Sequence, residues 1–463
     1  MLKRKAYDAF LEWKKTKNHG ALLVAGARQI GKTYLLEEFA RTQYDDYVKI
    51  DFIEDATARR RYGSVSNSRQ LIDLLSLEVG HRVEPGKTLV LFDEVQQAPE
   101  VVTLSKYLVQ DGRFDVAMSG SMLGTELEGI RSLPVGYLHT VDMAPLVFEE
   151  FCWAQGVPAN VLQEMQTCFE SRKPMPEAIH ESLIALFDRY LVVGGMPAAV
   201  VKSIEGRRDL GSVREVQEDL VRLYREDIAK YSKERALQIK AIFDAMPSQL
   251  NKENKRFHLQ SLSNNAKYDR FANDFQWLVA ACVALKVDNV TDPKPMLART
   301  AEPNRFKLYG SDVGMLMSRY TPQVAMAALM GEKSVNYGGV YENYVAQELA
   351  AAGVALHYYH HSKRGEVDFV IETAEGSVLP IEVKSGKDYK LHTALNNLLS
   401  IDEYGIQEAF VMSRSNVSTD TRQGKTVTFL PLYMSGLVAN LGCSEAASKE
   451  LLSAVQFRPL AWS

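Results

Sequence analysis

Short apolar runs and helical stretches follow one another along the first third of the chain. Four runs predict strands, at 21–25, 47–52, 88–92 and 114–118. Helical patterns lie between and beside them, over 2–18, 34–39, 56–62 and 68–82. The run at 88–92 is apolar without alternation, which is typical of a strand buried on both faces of a parallel sheet. The pattern therefore predicts an α/β fold for this part of the chain.

The predicted secondary structure changes twice along the remaining two thirds of the chain. Residues 152–250 are mostly helical in pattern, with a loop marked by Pro174 and Pro176. Residues 235–310 predict a winged helix, because three helical segments precede two strand-like ones. These segments are 235–246, a short one near Leu259, one from Tyr268, 286–290 and 305–309. A helical segment and several strand-like ones then predict a last α/β domain.

Composition narrows the classes of protein to consider. The chain has 463 residues, a formal net charge of −4, 46% hydrophobic residues and 24% charged residues. These values are typical of a globular protein, so nucleic-acid binding would need a local basic patch. The four cysteines are scattered and form no C-x-x-C pair. This pattern favours a reducing compartment and argues against a zinc site. The longest near-apolar run, 277–285, is too short to span a bilayer, and we expect a cytoplasmic protein without a membrane partner.

Residues 26–33 carry the clearest chemistry. They fit the phosphate-binding pattern G-x-x-x-x-G-K-[ST] at every position, as Gly26, Ala27, Arg28, Gln29, Ile30, Gly31, Lys32 and Thr33. The glycines let backbone N–H groups turn toward phosphate oxygens. Lys32 would reach the β- and γ-phosphates, and the Thr33 hydroxyl would ligate Mg²⁺. The helix that begins at Tyr34 would add its N-terminal field, so the stretch predicts binding of ATP with Mg²⁺.

Polar groups at the ends of two further strands complete this predicted site. The run at 88–92 ends in Asp93-Glu94, at the edge where open α/β sheets place ligands. Asp93 is suited to ligate Mg²⁺, and Glu94 is suited to act as the general base that activates an attacking water. The alternative for this pair is a helix N-cap. At the end of the next run, Ser119 either meets the γ-phosphate or belongs to an ordinary Ser/Gly turn.

These motifs, in this order, resemble the AAA-type P-loop ATPases, and most closely a bacterial and archaeal group. That group has Asp-Glu-x-Gln in the second motif, here 93–96, and Gly-Ser in the third, here 120–121. It also carries a Pro-Leu-x-Phe stretch and a Gly-Gly-x-Pro signature, here at 145–151 and 194–197. The resemblance covers nearly the whole chain, because a C-terminal domain of unknown function commonly follows this ATPase. It implies ATP hydrolysis and leaves homo-oligomeric assembly open.

One position departs from that group. Its members usually have Gly-Arg shortly before the Pro-Leu stretch, where the arginine would stabilise charge during hydrolysis. This chain has Gly136-Tyr137 there, and Arg131 lies five residues before Gly136. The identity of an arginine finger therefore stays open.

The predicted winged helix differs in charge from the whole chain. Residues 225–310 contain 15 Lys and Arg against 10 Asp and Glu. Lys267 and Arg270 lie where a recognition helix would begin. This excess favours contact with DNA, and the alternative is a winged helix that serves only in packing.

A second group of chemical residues lies between 338 and 386. Glu342 lies in a helical segment, and Asp368 lies in an alternating strand. Glu382 and Lys384 would point to one face of the next strand, and an antiparallel partner could present Asp368 on that face. Carboxylates beside a lysine suit a Mg²⁺ site with a cation for a scissile phosphate.

This second group resembles the PD-(D/E)xK nuclease core. The resemblance implies that Asp368 and Glu382 bind metal, that Glu342 completes the shell, and that Lys384 positions or activates water. The alternative is a retained ion pair in an inactive nuclease-like domain.

Four domains are expected from these patterns and resemblances. They are an AAA-type ATPase core at 1–155, a helical lid and connector at 156–234, a winged helix at 235–320, and a PD-(D/E)xK nuclease-like α/β domain at 321–463. The leading hypothesis is an ATPase that acts on DNA through its C-terminal domains. The rival hypothesis is a nucleotide-dependent switch or scaffold with an inactive nuclease-like domain and a protein partner.

Overall fold

The computed structural model describes ten stretches of the chain. They are residues 2–16, 20–80, 85–121, 134, 136–206, 209–231, 235–262, 267–332, 336–386 and 393–442. The chain forms two compact units, where the sequence suggested four consecutive domains. Unit 1 comprises Met1–Leu146, Met196–Ala198 and Asn273–Val283, and unit 2 comprises Val147–Gly195, Ala199–Ala272 and Ala284–Ser463.

Unit 1 is built on a parallel sheet. In its described part, five strands pair in the order β2-β3-β4-β1-β5. They are β1 (Ala21–Gly26), β2 (Asp46–Asp51), β3 (Thr88–Asp93), β4 (Asp115–Ser121) and β5 (Leu138–Asp142). The four predicted strands are confirmed. Strand β5 was not predicted, because this half-exposed edge strand has no apolar run.

Helices pack on this sheet and close its core. They span Ala6–Lys15, Lys32–Gln43, Ala56–Gly63, Ser68–Val79 and Pro99–Asp111. The rings of Phe52, Tyr62 and Phe92 lie with centroids 5.8 to 5.9 Å apart. Burying each such side chain stabilises the fold by about 1.5–3 kcal/mol. Because β1, β3 and β4 are parallel neighbours, their carboxyl ends bring the three predicted motifs to one edge.

Unit 2 contains a mixed sheet. Within the described residues, eight strands pair in the order β12-β13-β11-β10-β9-β8-β6-β7. They are β6 (Ala284–Val290), β7 (Ala301–Gly310), β8 (His357–His361), β9 (Gly365–Glu372), β10 (Val378–Val383), β11 (Glu408–Ser413), β12 (Ser418–Arg422) and β13 (Lys425–Pro431). The expected antiparallel pairing of β9 and β10 is present, with Phe369 opposite Ile381. β8 and β12 were not predicted, since one is rich in His and Tyr and the other is polar and largely exposed.

The helices of unit 2 surround and support this sheet. They span Phe148–Ala154, Ala159–Ser171, Glu177–Val193, Leu210–Tyr231, Ala236–Leu250, Val313–Ser318, Pro322–Leu329, Gly338–Ala351, Thr393–Leu399 and Ser435–Ala439. Two further helices, Pro197–Glu205 and Tyr268–Ala280, include residues assigned to both units. None of the helices in the described ranges has the length and apolar content that crossing a bilayer requires.

The helix Gly338–Ala351 is enclosed by protein, with every residue from Gly339 to Leu349 buried. Two of its buried amide side chains are nevertheless hydrogen-bonded. Asn343 exchanges hydrogen bonds with the backbone of Gly310 at 2.7 and 3.0 Å, and Gln347 accepts one from the N–H of Val313 at 2.9 Å. Paired polar groups remove most of the cost of burial. They also fix the rotation of the helix that carries Glu342.

The elements predicted for 235–310 are present, as Ala236–Leu250, the short 3₁₀ turn Leu259–Ser261, Tyr268–Ala280, β6 and β7. Strands β6 and β7 are antiparallel. However, β6 also pairs with β8, so both strands belong to the large sheet and are not an isolated wing. On the helix Tyr268–Ala280, Phe275 and Leu278 are buried, whereas Val279 is 37% exposed.

Candidate functional site

The loop after β1 closes tightly because of its two glycines. Gly26 has φ 141° and Gly31 has φ 88°, conformations that glycine adopts without strain. A Cβ on Gly26 would lie 2.3 Å from the carbonyl oxygen of Met143, so a larger residue does not fit there. Gly31 also precedes the first turn of the helix Lys32–Gln43. The free N–H groups of that turn and its dipole favour an anion at this point.

Arg4 holds the same loop from the N-terminal segment. Its guanidinium donates to the carbonyl oxygens of Ile30 at 2.9 Å and Ala144 at 2.6 Å. Arg4 is itself buried. Charge-assisted hydrogen bonds of this kind are stronger than neutral ones, so Arg4 helps to fix the shape of the loop.

Lys32 lies buried at the start of the helix, with 5% of the residue exposed. Its Nζ donates to the carbonyl oxygens of Gly26 at 3.0 Å and Ala27 at 2.7 Å. Burial lowers the pKa of Lys32 to about 8, although the nearby Glu94 acts in the opposite direction. The ammonium group is therefore held by neutral carbonyls, and its charge is only weakly compensated.

Oxygen atoms suited to Mg²⁺ meet beside Lys32. Thr33 donates from Oγ1 to Asp93 Oδ1 at 2.7 Å, and Ser119 donates to the same carboxylate. The Nζ of Lys49 lies 3.5 Å from the other oxygen, Asp93 Oδ2. Hydroxyl and carboxylate oxygens are ligands that Mg²⁺ prefers. Thr33 and Asp93 thus fit the ion that the sequence predicted.

Glu94 follows β3 with an unusual backbone and a fixed side chain. Its φ of 57° is left-handed, which costs a non-glycine residue about 1–3 kcal/mol and is common at active sites. Its Oε2 accepts hydrogen bonds from Ser121 Oγ at 2.8 Å and from the Gln96 amide. The backbone N–H of Glu94 donates to Ser119 Oγ at 3.2 Å.

These contacts decide between alternatives that the sequence left open. Glu94 makes no side-chain capping bond to the short 3₁₀ turn Val95–Gln97 that follows it, so the N-cap alternative does not describe this residue. Ser119 lies within β4 and bonds Asp93, so the turn alternative is wrong for Ser119.

The other predicted loop residues occupy different environments. Ala27 and Ile30 are buried, Arg28 is partly exposed, and Tyr34 is 53% exposed. Tyr137, where the related group has arginine, accepts a hydrogen bond from the Gln110 amide at 2.9 Å. Arg131 lies outside the described residues.

Sequence reasoning missed several neighbours of the nucleotide site. Lys49, Gln96 and Ser121 contact the two acids, although Gln96 and Ser121 belong to the quoted Asp-Glu-x-Gln and Gly-Ser motifs. The segment Asn273–Val283 of unit 1 brings Cys282 close enough to interact electrostatically with Lys32. The signal available for Lys49 was its position as a charged residue inside a predicted strand. The sequence contained no signal for Cys282.

The second predicted site contains four acids, which we call the acidic cluster: Glu342, Glu366, Asp368 and Glu382. Strand β9 supplies Glu366 and Asp368, and β10 supplies Glu382. Glu342 comes from the enclosed helix Gly338–Ala351. The sequence predicted Glu342, Asp368 and Glu382 here and missed Glu366.

Lys307 of β7 extends its ammonium group into this cluster. Its Nζ lies 2.7 Å from Glu366, 3.4 Å from Glu342 and 3.4 Å from Asp368. The side chain is fully buried, at 0% exposed. Burial alone would lower the pKa of Lys307, but the surrounding acids and Tyr309 raise it well above the ordinary lysine value. Lys307 therefore keeps its positive charge.

Lys307 on β7 reaches two acids of β9 across two intervening strands. Strands β8 and β6 lie between them, and three strand spacings span about 14 Å in a flat sheet. Register shifts occur between β6 and β7 and between β8 and β9. Such irregularities increase twist and bend strands. Lys307 is far from Glu366 and Asp368 in sequence, and no local sequence pattern indicates that they meet.

Glu342 and Asp368 are already saturated by protein donors. Besides Lys307, Glu342 accepts from Tyr309 OH at 2.7 Å and pairs with Lys255 Nζ at 2.7 Å. The second oxygen of Asp368 accepts from the backbone N–H of Val383 at 2.9 Å. Lys255, Lys307 and Tyr309 were not among the predicted residues.

Glu382 and Lys384 lie together as the strand geometry predicted, with Oε1 and Nζ 2.7 Å apart. Burial and the nearby Asp368 raise the pKa of Glu382 to about 8, against the opposing effect of Lys384. The Oε2 atom of Glu382 is buried and has no hydrogen-bond partner among the described residues.

The acidic cluster does not fit a divalent metal as it stands. Among the described residues, no group of three His, Cys, Asp or Glu side chains converges closely enough to hold one. The oxygens of Glu342 and Asp368 face Lys307, Lys255, Tyr309 and a backbone N–H instead. We therefore assign no metal-dependent step to these residues.

Together, the parallel sheet, the phosphate-binding loop and the Thr33–Asp93 pair define a P-loop nucleotide-binding domain. Residues 18–152 match a family model described as an AAA domain. Residues 184–321 match a domain of unknown function (DUF8612), and residues 337–433 match another (DUF4143). The N-terminal part of the chain is an AAA ATPase domain, and the expectation that a domain of unknown function follows it is confirmed.

The chain matches no curated protein. Among solved structures it is similar to the S. cerevisiae Hsp104–ADP complex, at 11% identity and a TM-score of 0.27. The alignment covers 76% of this chain and 44% of that one, so the chain spans less than half the length of this neighbour. A likeness this distant carries no argument, and the assignment depends on the family match and the site.

Proposed function

We propose that the chain binds ATP with Mg²⁺ and hydrolyses it at the loop between β1 and the helix Lys32–Gln43. One observation carries this proposal. Thr33 and Asp93 meet at 2.7 Å beside the buried ammonium of Lys32, and the fixed Glu94 follows Asp93 directly in the chain. A hydroxyl, two acids and a lysine at a helix N-terminus are the parts that phosphoryl transfer to water needs.

Each side chain has a distinct role in this proposal. Lys32 pairs with the β- and γ-phosphates, where its charge counters the developing negative charge. Thr33 and Asp93 hold Mg²⁺, which neutralises phosphate charge when bound. Glu94 accepts the proton of the attacking water, and Ser119 orients Asp93 and the backbone of Glu94.

The proposal is tested by the Mg²⁺ dependence of ATP turnover in two threonine variants. Thr33→Val keeps the shape of the side chain and removes its oxygen, so it should need more Mg²⁺ for half-maximal rate. Thr42→Val is the matched control, because Thr42 lies on the exposed face of the same helix. Equal Mg²⁺ curves for wild type and Thr33→Val would remove Thr33 from the site.

We further propose DNA as the target of the ATPase, through residues 235–320. This proposal is supported by the local excess of 15 Lys and Arg over 10 Asp and Glu in residues 225–310. Lys267 and Arg270 are exposed at the start of the helix Tyr268–Ala280. Such a face would bind phosphates and release counterions, which makes affinity fall with salt.

Salt dependence tests the DNA proposal. Log affinity for duplex DNA should fall linearly with log salt, by about 0.9 for each phosphate neutralised. The double variant Lys267→Ala/Arg270→Ala should reduce this slope by up to about two units. Absence of binding at low salt, or an unchanged slope in the double variant, would leave these elements as packing modules.

A second candidate function is a nucleotide-dependent switch whose partner is a protein. It is favoured by two observations: Tyr137 stands where the related group has arginine, and Lys307 lies among the acids of the nuclease-like site. The rate of ATP hydrolysis with and without DNA separates the two functions. Stimulation by DNA supports the first candidate, and a slow rate indifferent to DNA supports the second.

A further inference from the structure

The acidic cluster contains a cation that belongs to the chain itself. Lys307 Nζ lies within 3.4 Å of carboxylate oxygens from the enclosed helix and from two positions of β9. Three carboxylates around one buried point would repel one another strongly without a positive charge between them. Lys307 supplies that charge from β7.

We propose that the Lys307 ammonium is the resident cation of the acidic cluster, in the place where a nuclease core would hold its divalent metal. The cluster then binds no divalent ion, and it fastens β7 and β9 to the helix Gly338–Ala351. This inference is independent of the proposed ATPase function, because every residue involved belongs to unit 2.

The position of the Lys307 ammonium disfavours a metal at the same point. The contacts of Lys307 range from 2.7 to 3.4 Å, which is the range of charge-assisted N–H···O bonds and salt bridges. Mg²⁺ would require oxygens at about 2.0–2.1 Å in near-octahedral geometry. A divalent ion among these acids would also lie beside Lys307 and be repelled by it.

Lys307 also differs from a lysine that acts on substrate. It is fully buried, and its ring neighbour Tyr358 lies with its centroid 5.1 Å from Nζ. Lys384, in contrast, keeps 31% of its side chain exposed. Lys307 thus has no access to water or to a phosphate, and its role is to hold the acids in place.

The test measures Mn²⁺ binding to the full chain without nucleotide, from the loss of the free Mn²⁺ paramagnetic resonance signal. Lys307→Met keeps the length of the side chain and removes its charge. We expect Lys307→Met to bind Mn²⁺ at least about tenfold more tightly than wild type, and Mn²⁺ to raise its thermal midpoint. The double variant Lys307→Met/Asp368→Asn should lose this gain, which separates the cluster from the phosphate-binding loop.

Lys286→Met is the matched control, because Lys286 lies on the neighbouring strand β6 and pairs with Asp288 outside the cluster. It should bind Mn²⁺ as wild type does. Two results would overturn the proposal: a folded Lys307→Met that gains no Mn²⁺ binding, or wild-type binding that Asp368→Asn abolishes. The comparison of wild type with Asp368→Asn remains decisive if Lys307→Met does not fold.

Discussion

Two buried lysines, one in each unit, have opposite electrostatic surroundings. Lys32 donates to two neutral carbonyls, and burial lowers its pKa to about 8. Lys307 contacts three carboxylates, which outweigh burial and raise its pKa well above the ordinary value. Burial alone therefore does not decide the charge of a lysine, and the groups that surround it do.

The difference separates a site that can receive an anion from one that is already neutralised. The two acids near Lys32 accept hydrogen bonds from hydroxyl groups: Asp93 from Thr33, and Glu94 from Ser121. The charge of Lys32 thus stays directed at the phosphate-binding loop. In the acidic cluster, Lys307 is paired with Glu342, Glu366 and Asp368, so its charge is not directed at a ligand.

The largest expected effect concerns turnover in unit 1. Glu94→Gln keeps the shape of the side chain and removes the base, so ATP hydrolysis should fall by about 10²–10⁴-fold while ATP still binds. Phosphate release and equilibrium titration measure the two effects separately. Glu100→Gln, on the following helix, is the control, and equal turnover in Glu94→Gln and wild type would exclude Glu94 as the base.

The next effect concerns the stability of unit 2. Lys307→Ala removes the cation that pairs with the buried Glu342 and with the partly exposed Glu366 and Asp368. The free energy of unfolding should therefore fall by about 3–5 kcal/mol. Urea unfolding measures this loss, with Lys286→Ala as the control. ATP affinity should be unchanged, and a parallel loss of ATP affinity would contradict the separation of the two sites.

Lys32→Ala should have the converse effect of Lys307→Ala, because it should change ATP affinity more than stability. ATP affinity should fall by roughly 10- to 150-fold, the range for losing a hydrogen bond to a charged group. Unfolding should change little, because the lowered pKa of Lys32 shows that burying its charge is costly, which offsets the loss of its hydrogen bonds to the two carbonyls. Lys32→Arg retains the charge and serves as the comparison. Tight ATP binding by Lys32→Ala would mean that the loop is not the phosphate site.

The smallest expected effect is a pH dependence of ATP affinity that arises from the titration of Lys32. Lys307 should not titrate over the same range, because its pKa is raised. With a pKa lowered to about 8, Lys32 carries its charge below that pH and loses it as pH rises. ATP affinity measured in EDTA should thus weaken by roughly tenfold between pH 7.5 and 9. Lys32→Arg should show a flat profile over this range, and a flat wild-type profile would show that Lys32 stays charged.

The nucleotide site could be predicted because its chemistry is local. Residues 26–33 are contiguous, and Asp93, Glu94 and Ser119 each follow an apolar run that predicts a strand. Parallel strands then bring these ends to one edge. The partners Lys49 and Arg4 were missed, because their contacts depend on where the strand β2 and the N-terminal segment lie.

The acidic cluster was only half predictable for the same reason. Glu382 and Lys384 share a strand face, and the strand period alone places them together. Lys307 and Tyr309 reach Glu342 because the helix Gly338–Ala351 packs against β7. This packing joins segments that are distant in sequence, and a motif of carboxylates and a lysine cannot reveal which lysine lies among the acids.

Unit 1 is built from segments that are distant in sequence, so its parts leave the ribosome at different times. Its last segment, Asn273–Val283, begins 127 residues after Leu146. At roughly 5–20 residues per second, about 6–25 s pass before this segment follows the rest of unit 1 off the ribosome. Phe275 and Leu278 of that segment are fully buried in the finished protein. The nascent ATPase domain therefore waits with apolar surface uncovered, and chaperones have that interval in which to bind it.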